Sequence, residues 1–188
     1  MLPRSYQLLT LLAGFVLPAV SHGFITFEVC YDFGCRNQNE VVLDESEWQS
    51  VASIVDAGDA AEERQQIKRA IARMESLVGH HTPTHKDLAM NLPVTDGVDN
   101  ADLFPGQLDC IDESINTTRY LQLMASHGLL QFHSVLNRAY RRSFITQHWA
   151  AKIEDVQTGR QYVIDSWFEK NGEPPVLVSS ERWYDLSL

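Results

Sequence analysis

One stretch near the middle of the chain restricts its fold more than any other: Pro105-Gly106-Gln107-Leu108-Asp109-Cys110-Ile111-Asp112-Glu113. Pro105-Gly106 breaks regular structure, and helix-compatible residues follow. Asp109 is a good N-cap, because its carboxylate can accept from the unpaired N–H groups of a first helical turn, and Asp112 adds negative charge there. Cys110 then stands at the first helical position. The positive end of a helix dipole favours the thiolate, the nucleophilic form of cysteine. Over residues 109–127, Cys110, Ser114, Thr117, Leu121 and Met124 recur on one helical stripe, widened by Ile111 and Ile115. The thiol is therefore expected to turn toward the protein body. Gly128 ends this helix. The sequon Asn116-Thr117-Thr118 falls inside it and carries no weight.

The first residues read as a secretory signal peptide. Arg4 is the basic start, Leu8 to Leu17 the apolar run, and Ala19-Val20-Ser21 the small-residue cleavage site. The expected division is a leader over 1–21 and one domain over 22–188. The whole chain has 15 Lys and Arg against 25 Asp and Glu, a net charge of −10. That balance argues against nucleic-acid and anionic-membrane binding, which need basic patches. No second long apolar run follows, so no stable membrane anchor is expected after cleavage, and a periplasmic or secreted protein is.

Export gives the three cysteines their meaning. Cys30 and Cys35 flank a short turn, and a local disulfide between them is the economical pairing. Cys110 is then the odd thiol. It is reactive, inert and buried, or bonded elsewhere.

Helix and strand signals alternate along the rest. Phe24 to Tyr31 and Val41-Val42-Leu43 read as strands of a disulfide-pinned hairpin. Asp44 or Ser46 caps a helix carrying Trp48, Val51, Ala52 and Val55. Residues 60–78 are the clearest helix, with Ile67, Ala70, Ile71, Met74, Leu77 and Val78 on one stripe and Gly79 as its cap. No chemistry is expected on it. His80-His81-Thr82-Pro83-Thr84-His85 reads as a polar loop rather than a metal site, since Gly79 and Pro83 break it. Residues 91–106 form a long loop that could shape or cover a cleft beside Cys110. Leu129 to Tyr140 has strand character, and Arg138, Arg141 and Arg142 make a basic patch near its end, either a solvated strand end or a contact for a substrate carboxylate. Thr146 to Asp155 and Gln161 to Phe168 are two strands joined at Thr158-Gly159. A last short strand, Val176-Leu177-Val178, precedes a capped segment with Trp183.

His148, Ala150 and Lys152 share one face of the first long strand, and Gln161, Val163 and Asp165 one face of the second. A strict two-residue turn would set Asp165 opposite Lys152. A longer or bulged turn is needed to bring it to His148. With that turn, Cys110, His148 and Asp165 can form a catalytic triad. Cysteine is the nucleophile, histidine holds the thiolate and later protonates the leaving amine, and aspartate fixes the imidazole tautomer. His127 lies at the far end of the Cys110 helix, about 25 Å away, and cannot reach. His133 is a credible rival base. For the oxyanion, the Cys110 N–H and, more weakly, the Gln107 side chain are candidates.

Gly106-Gln107-Leu108-Asp109-Cys110, His148-Trp149-Ala150 and Tyr162-Val163-Ile164-Asp165-Ser166-Trp167 together resemble the transglutaminase-like, papain-like Cys-His-Asp superfamily. The resemblance spans residues 100–170. The Asp-Cys-x-Asp run at 109–112 looks like the bacterial transglutaminase-like cysteine proteinases of the periplasm. It implies an α+β fold with helices packed against an antiparallel sheet and the nucleophile at a helix N-terminus. It also implies Cys110 as nucleophile, His148 as base and Asp165 as orienting acid. Some of those proteinases bind calcium through acids beside the nucleophile. Ile111 stands where such an acid is expected, so no metal or cofactor is expected here. The NlpC/P60 peptidases also start from Asp-Cys, but carry Ser-Gly after it and usually a second histidine. The expected activity is cleavage or exchange of amide bonds in a protein or peptide substrate through a thioester. The alternative is a non-catalytic exported binding or structural domain on the same fold.

Overall fold

The N-terminal hairpin pairs β1 (Ile25–Tyr31) with β2 (Asn37–Leu43), antiparallel and in continuous register from Ile25↔Leu43 to Tyr31↔Asn37. Its turn is clipped by a Cys30–Cys35 disulfide. The computed structural model describes residues 23–95, 98–99, 103–142 and 147–185. The leader expected over 1–21 lies outside the described residues.

Two helices follow. In α1 (Glu45–Ala52), Asp44 and Glu47 form a reciprocal capping box, and Trp48 and Val51 are buried. Asp59 caps α2 (Ala60–His81), whose expected stripe forms the centre of the core. Gly79 does not end this helix. It lies inside it, where a Cβ would meet the His85 Cβ at 3.1 Å and Cα at 3.2 Å. The glycine lets the short 3-10 turn Pro83–Lys86 fold back against the helix. Two short strands, β3 (Val94–Thr95) and β4 (Val98–Asp99), pair within the long connection.

The helix α3 (Cys110–Ser126) packs between α2 and β1 on one side and a four-stranded antiparallel sheet on the other. That sheet runs in the order β5 (His133–Arg142), β6 (Gln147–Asp155), β7 (Gln161–Asp165), β8 (Val176–Ser179). The architecture is therefore α+β, with helices against antiparallel sheets. One face of the large sheet gives Ala151, Ile153 and Ile164 to the main core, with α2, α3 and the hairpin. The other face carries Ala139, Ala150 and Val163 and is covered by Trp183 from α4 (Ser180–Asp185). The second long strand is shorter than expected, since β7 stops at Asp165 and residues 166–168 leave the sheet.

Candidate active site

The Asp109 carboxylate accepts from the N–H groups of Ile111 and Asp112, and Asp112 returns the bond to the Asp109 N–H, completing a capping box around Cys110. Gly106 just upstream has φ +91°, and a Cβ there would stand 2.2 Å from the Pro83 carbonyl oxygen. Only glycine lets the chain enter the helix along this path.

The disulfide clip braces the same entry. Asp32, Phe33, Gly34 and Cys35 all have φ between +59° and +68°. A run of left-handed residues, three of them not glycine, costs about 1–2 kcal/mol each. It is held by partners on the 106–116 segment. The Asp32 N–H donates to the Gln107 carbonyl, Gly106 N–H to the Asp32 carboxylate, and Cys35 N–H to Asp112 at 2.5 Å. Asn116 bonds both backbone groups of Cys30. The N-terminal hairpin, which carried no functional signal in the sequence, is thus a brace for the Cys110 turn. Cys30, Cys35 and Asp112 are also the close trio of potential metal-ligand atoms among the described residues. Two of the three are disulfide sulfurs, which offer no thiolate to a metal.

Cys110 meets the sheet edge-on. The Asp155 N–H donates to the Arg160 carbonyl across the β6–β7 turn. The odd-numbered residues of β6 therefore turn their backbone groups toward β7. The pairing with β7 ends at Ala151↔Ile164, leaving that edge of β6 open at residues 147–149. The thiol fills the gap: Sγ lies 3.9 Å from the Gln147 carbonyl oxygen, and the Trp149 N–H bonds to the sulfur.

His148 is the residue between them. The turn after β6 spans four residues, 156–159, because Asp155 is level with Arg160. That register sets Asp165 beside Ala150, one diagonal step from His148. The longer turn needed to bring the two together is present. The His148 Nε2 and Asp165 Oδ2 lie 2.7 Å apart, both side chains almost fully buried. The carboxylate fixes Nε2 as the protonated nitrogen, which leaves Nδ1 as the ring's acceptor; no hydrogen bond joins it to the Cys110 sulfur, which bonds the Gln147 carbonyl instead. Cys110 and His148 line one cleft of about 510 Å³. Most of its remaining lining is apolar, from Ile111, Met90, Leu92, Pro93, Trp167 and Phe168, with Asn91, Asp109 and Gln147 as the polar part.

The thiol departs from the sequence expectation in its ionisation. Burial pushes Cys110 up to about 11, and the Asp109 and Asp165 charges act in the same direction. The bond from Trp149 and the helix-end N–H lower it by less. The helix start alone does not supply a thiolate at neutral pH. Arg138 sits close by, at the bulge in β5, where its guanidinium bonds Ser114 and covers the Trp149 ring at 4.7 Å. Arg141 covers Trp183 at 4.3 Å and donates to its carbonyl. Two of the three strand-end arginines are therefore built into the walls around Cys110 and His148.

Comparison of the chain with protein-family models, curated proteins and solved structures finds no match.

Other sequence candidates are accounted for by local bonding. His133 is committed on both nitrogens, Nδ1 to Glu63 at 2.8 Å and Nε2 to Arg64 at 3.2 Å. It pairs with Asp155, seven residues along β6 from His148, so it is no rival base for Cys110. His127 caps the far end of α3 against Trp48. Gln107 does not line the cleft: its amide nitrogen donates to the Lys86 carbonyl, and its oxygen accepts from Leu88 and Asn91. It straps the 86–91 segment into the cleft wall. His80 and His81 belong to α2, and His81 bonds Glu47.

Sequence reasoning missed a set of buried acids behind the site. Glu75 on α2, Asp87, and Asp112 and Glu113 on α3 are all buried. Burial is the first cause in each case. It pushes Glu75 up to about 8, Asp87 and Asp112 to about 7, and Glu113 well above its ordinary value. A second missed residue is Trp183, whose Nε1–H donates to the same Asp165 oxygen that bonds His148. An apolar position in a short terminal helix gives no sequence signal for that role.

Proposed function

We propose that this chain is an exported cysteine hydrolase or acyltransferase, acting on amide bonds of a protein or peptide through Cys110, His148 and Asp165. The observation that carries the reading is the 2.7 Å bond between His148 Nε2 and Asp165 Oδ2, buried beside the free thiol of Cys110 and opening on the same cleft. The resemblance of residues 100–170 to transglutaminase-like proteinases points the same way. The Cys30–Cys35 disulfide fits an oxidising compartment, and no helix among the described residues is long and apolar enough to cross a membrane. These support a periplasmic or secreted location.

The chemistry follows from the ionisation of the thiol. A group held near 11 is neutral at pH 7, so His148 acts as general base. Nδ1 takes the thiol proton as sulfur attacks the amide carbonyl, and Asp165 stabilises the imidazolium through Nε2–H. The tetrahedral intermediate collapses with transfer of that proton to the leaving amine, giving a Cys110 thioester. Water or a second amine then takes the acyl group. The Cys110 N–H is the candidate oxyanion donor. The apolar cleft walls favour an uncharged, apolar side chain next to the scissile amide.

The test is a panel of peptidyl vinyl sulfones with apolar or acidic residues beside the warhead, read by intact mass and peptide mapping. The expected result is a single adduct on Cys110, formed faster with apolar residues and lost in His148→Ala. Absence of any adduct, or equal labelling in His148→Ala, would contradict the proposal. An added amine acceptor separates transfer from hydrolysis.

A further inference from the structure

His148 lies in an aromatic box. Trp167 is 4.9 Å away between ring centroids, Phe168 is at 5.6 Å, and Trp183 is at 5.7 Å with its plane only 27° from the imidazole. Two of these rings, Trp167 and Phe168, lie two and three residues after Asp165. Trp183 comes from the separate helix α4 and does more than pack. It is fully buried, and its Nε1–H donates to Asp165 Oδ2 at 2.8 Å. A single carboxylate oxygen thus receives two donors, the imidazole from one side and the indole from another. The second oxygen, Oδ1, has no hydrogen-bond partner among the described residues.

This asymmetry matters for a carboxylate at the end of a strand. Asp165 is the last residue of β7, and the chain leaves the sheet immediately after it. Its side-chain torsion is broad, and two oxygens compete for the histidine. A fixed indole donor on Oδ2 selects one orientation, and the Trp183 ring packed beside His148, 27° from its plane, limits rotation of the imidazole. Arg141 in turn clamps Trp183, lying over its ring and bonding its carbonyl. Charged and titratable groups that act on the pair include Arg141 on β5 and Cys110 and Glu113 on α3, with Asp109 at its cap.

We infer that Trp183 is a positioning residue for the proposed catalytic unit: its indole N–H locks Asp165 Oδ2 onto His148, and its ring holds the imidazole plane. The inference rests on the triad reading. It adds α4, outside the 100–170 stretch that carries the family resemblance, to the functional site.

Two variants isolate the N–H from the ring. Trp183→Phe keeps an aromatic ring and removes the donor. Site-specific replacement of Trp183 by benzothienylalanine keeps the full bicyclic shape and also removes it, which guards against a folding defect in the first variant. The readouts are the proton NMR signal of the His148 Nε2–H, shifted downfield by its carboxylate partner, and the rate of iodoacetamide alkylation of Cys110 at pH 7. Both variants are expected to broaden that signal through exchange with water. Both should also slow alkylation about tenfold, the scale of one hydrogen bond to a charged group. A sharp, unshifted signal with alkylation at the wild-type rate in the benzothienylalanine protein would overturn the inference, leaving Trp183 as packing. His148→Ala separates the two levels. If it leaves alkylation unchanged, the triad reading itself fails. If it abolishes alkylation while the Trp183 variants match wild type, only the role of Trp183 fails.

Discussion

Asn116 bonds both backbone groups of Cys30, accepting from its N–H and donating to its carbonyl, each at 2.8 Å. The pair joins residues 86 apart and anchors the disulfide hairpin to the second turn of α3. Asn116→Ala would leave a buried donor and a buried acceptor unpaired, at a cost of about 3 kcal/mol. Urea denaturation is expected to show that loss with little change in slope. The same burial keeps the Asn116-Thr117-Thr118 sequon out of reach in the folded protein.

The disulfide closes a short loop, with its cysteines five residues apart. Chain-entropy reasoning assigns such a loop about 2 kcal/mol. Cys30→Ser with Cys35→Ser is expected to lose that much. It should also slow alkylation of Cys110, because Cys35 N–H supports Asp112, the returning half of the capping box. A stability loss with unchanged alkylation would show that the clip does not govern the turn.

The buried acids set the pH dependence of stability. Glu75, Asp87, Asp112 and Glu113 all have carboxyls raised above their unfolded values near 4. Folding therefore favours their protonated forms. Their contribution is complete below about pH 4 and is lost as pH rises through about 7 and 8. Melting temperature is expected to fall by about 5 °C or more between pH 5 and pH 8.5. Glu75→Gln should flatten that slope, chiefly by stabilising the protein at the alkaline end.

His133 and Glu63 form a second buried histidine–carboxylate pair, with no thiol beside it. His133→Ala removes the side-chain partner of the buried Glu63 carboxylate, which keeps only the Gln131 and Phe132 N–H groups, and should cost about 3 kcal/mol. Alkylation of Cys110 in the folded protein should be unaffected. This contrast with His148→Ala would separate a structural pair from the proposed catalytic one at nearly the same bond length.

Much of the fold was legible because local signals agreed with it. The stripe of α2, the start of α1 at Asp44 or Ser46, the cap at Asp109 and the hairpin at Cys30–Cys35 all follow from nearest neighbours. The limits of that reading are equally physical. Gly79 looks like a cap until the chain that folds back onto it is known. Glu113 and Asn116 look like solvent-facing helix residues, since nothing local says that α2 and β1 cover that side. The His148–Asp165 pairing needed a turn length that Thr158-Gly159 alone does not specify. The thiol's ionisation depends on burial, which overrides the helix-end effect that the sequence displays.

The central claim is that His148 is the base for Cys110, and it is tested most directly by the pH dependence of Cys110 alkylation by iodoacetamide. With the imidazole present to take the proton, the wild-type protein should label readily at neutral pH. In His148→Ala the half-buried thiol loses that base, and labelling should shift to distinctly more alkaline pH. Superimposable pH profiles for the two proteins, both folded, would contradict the account.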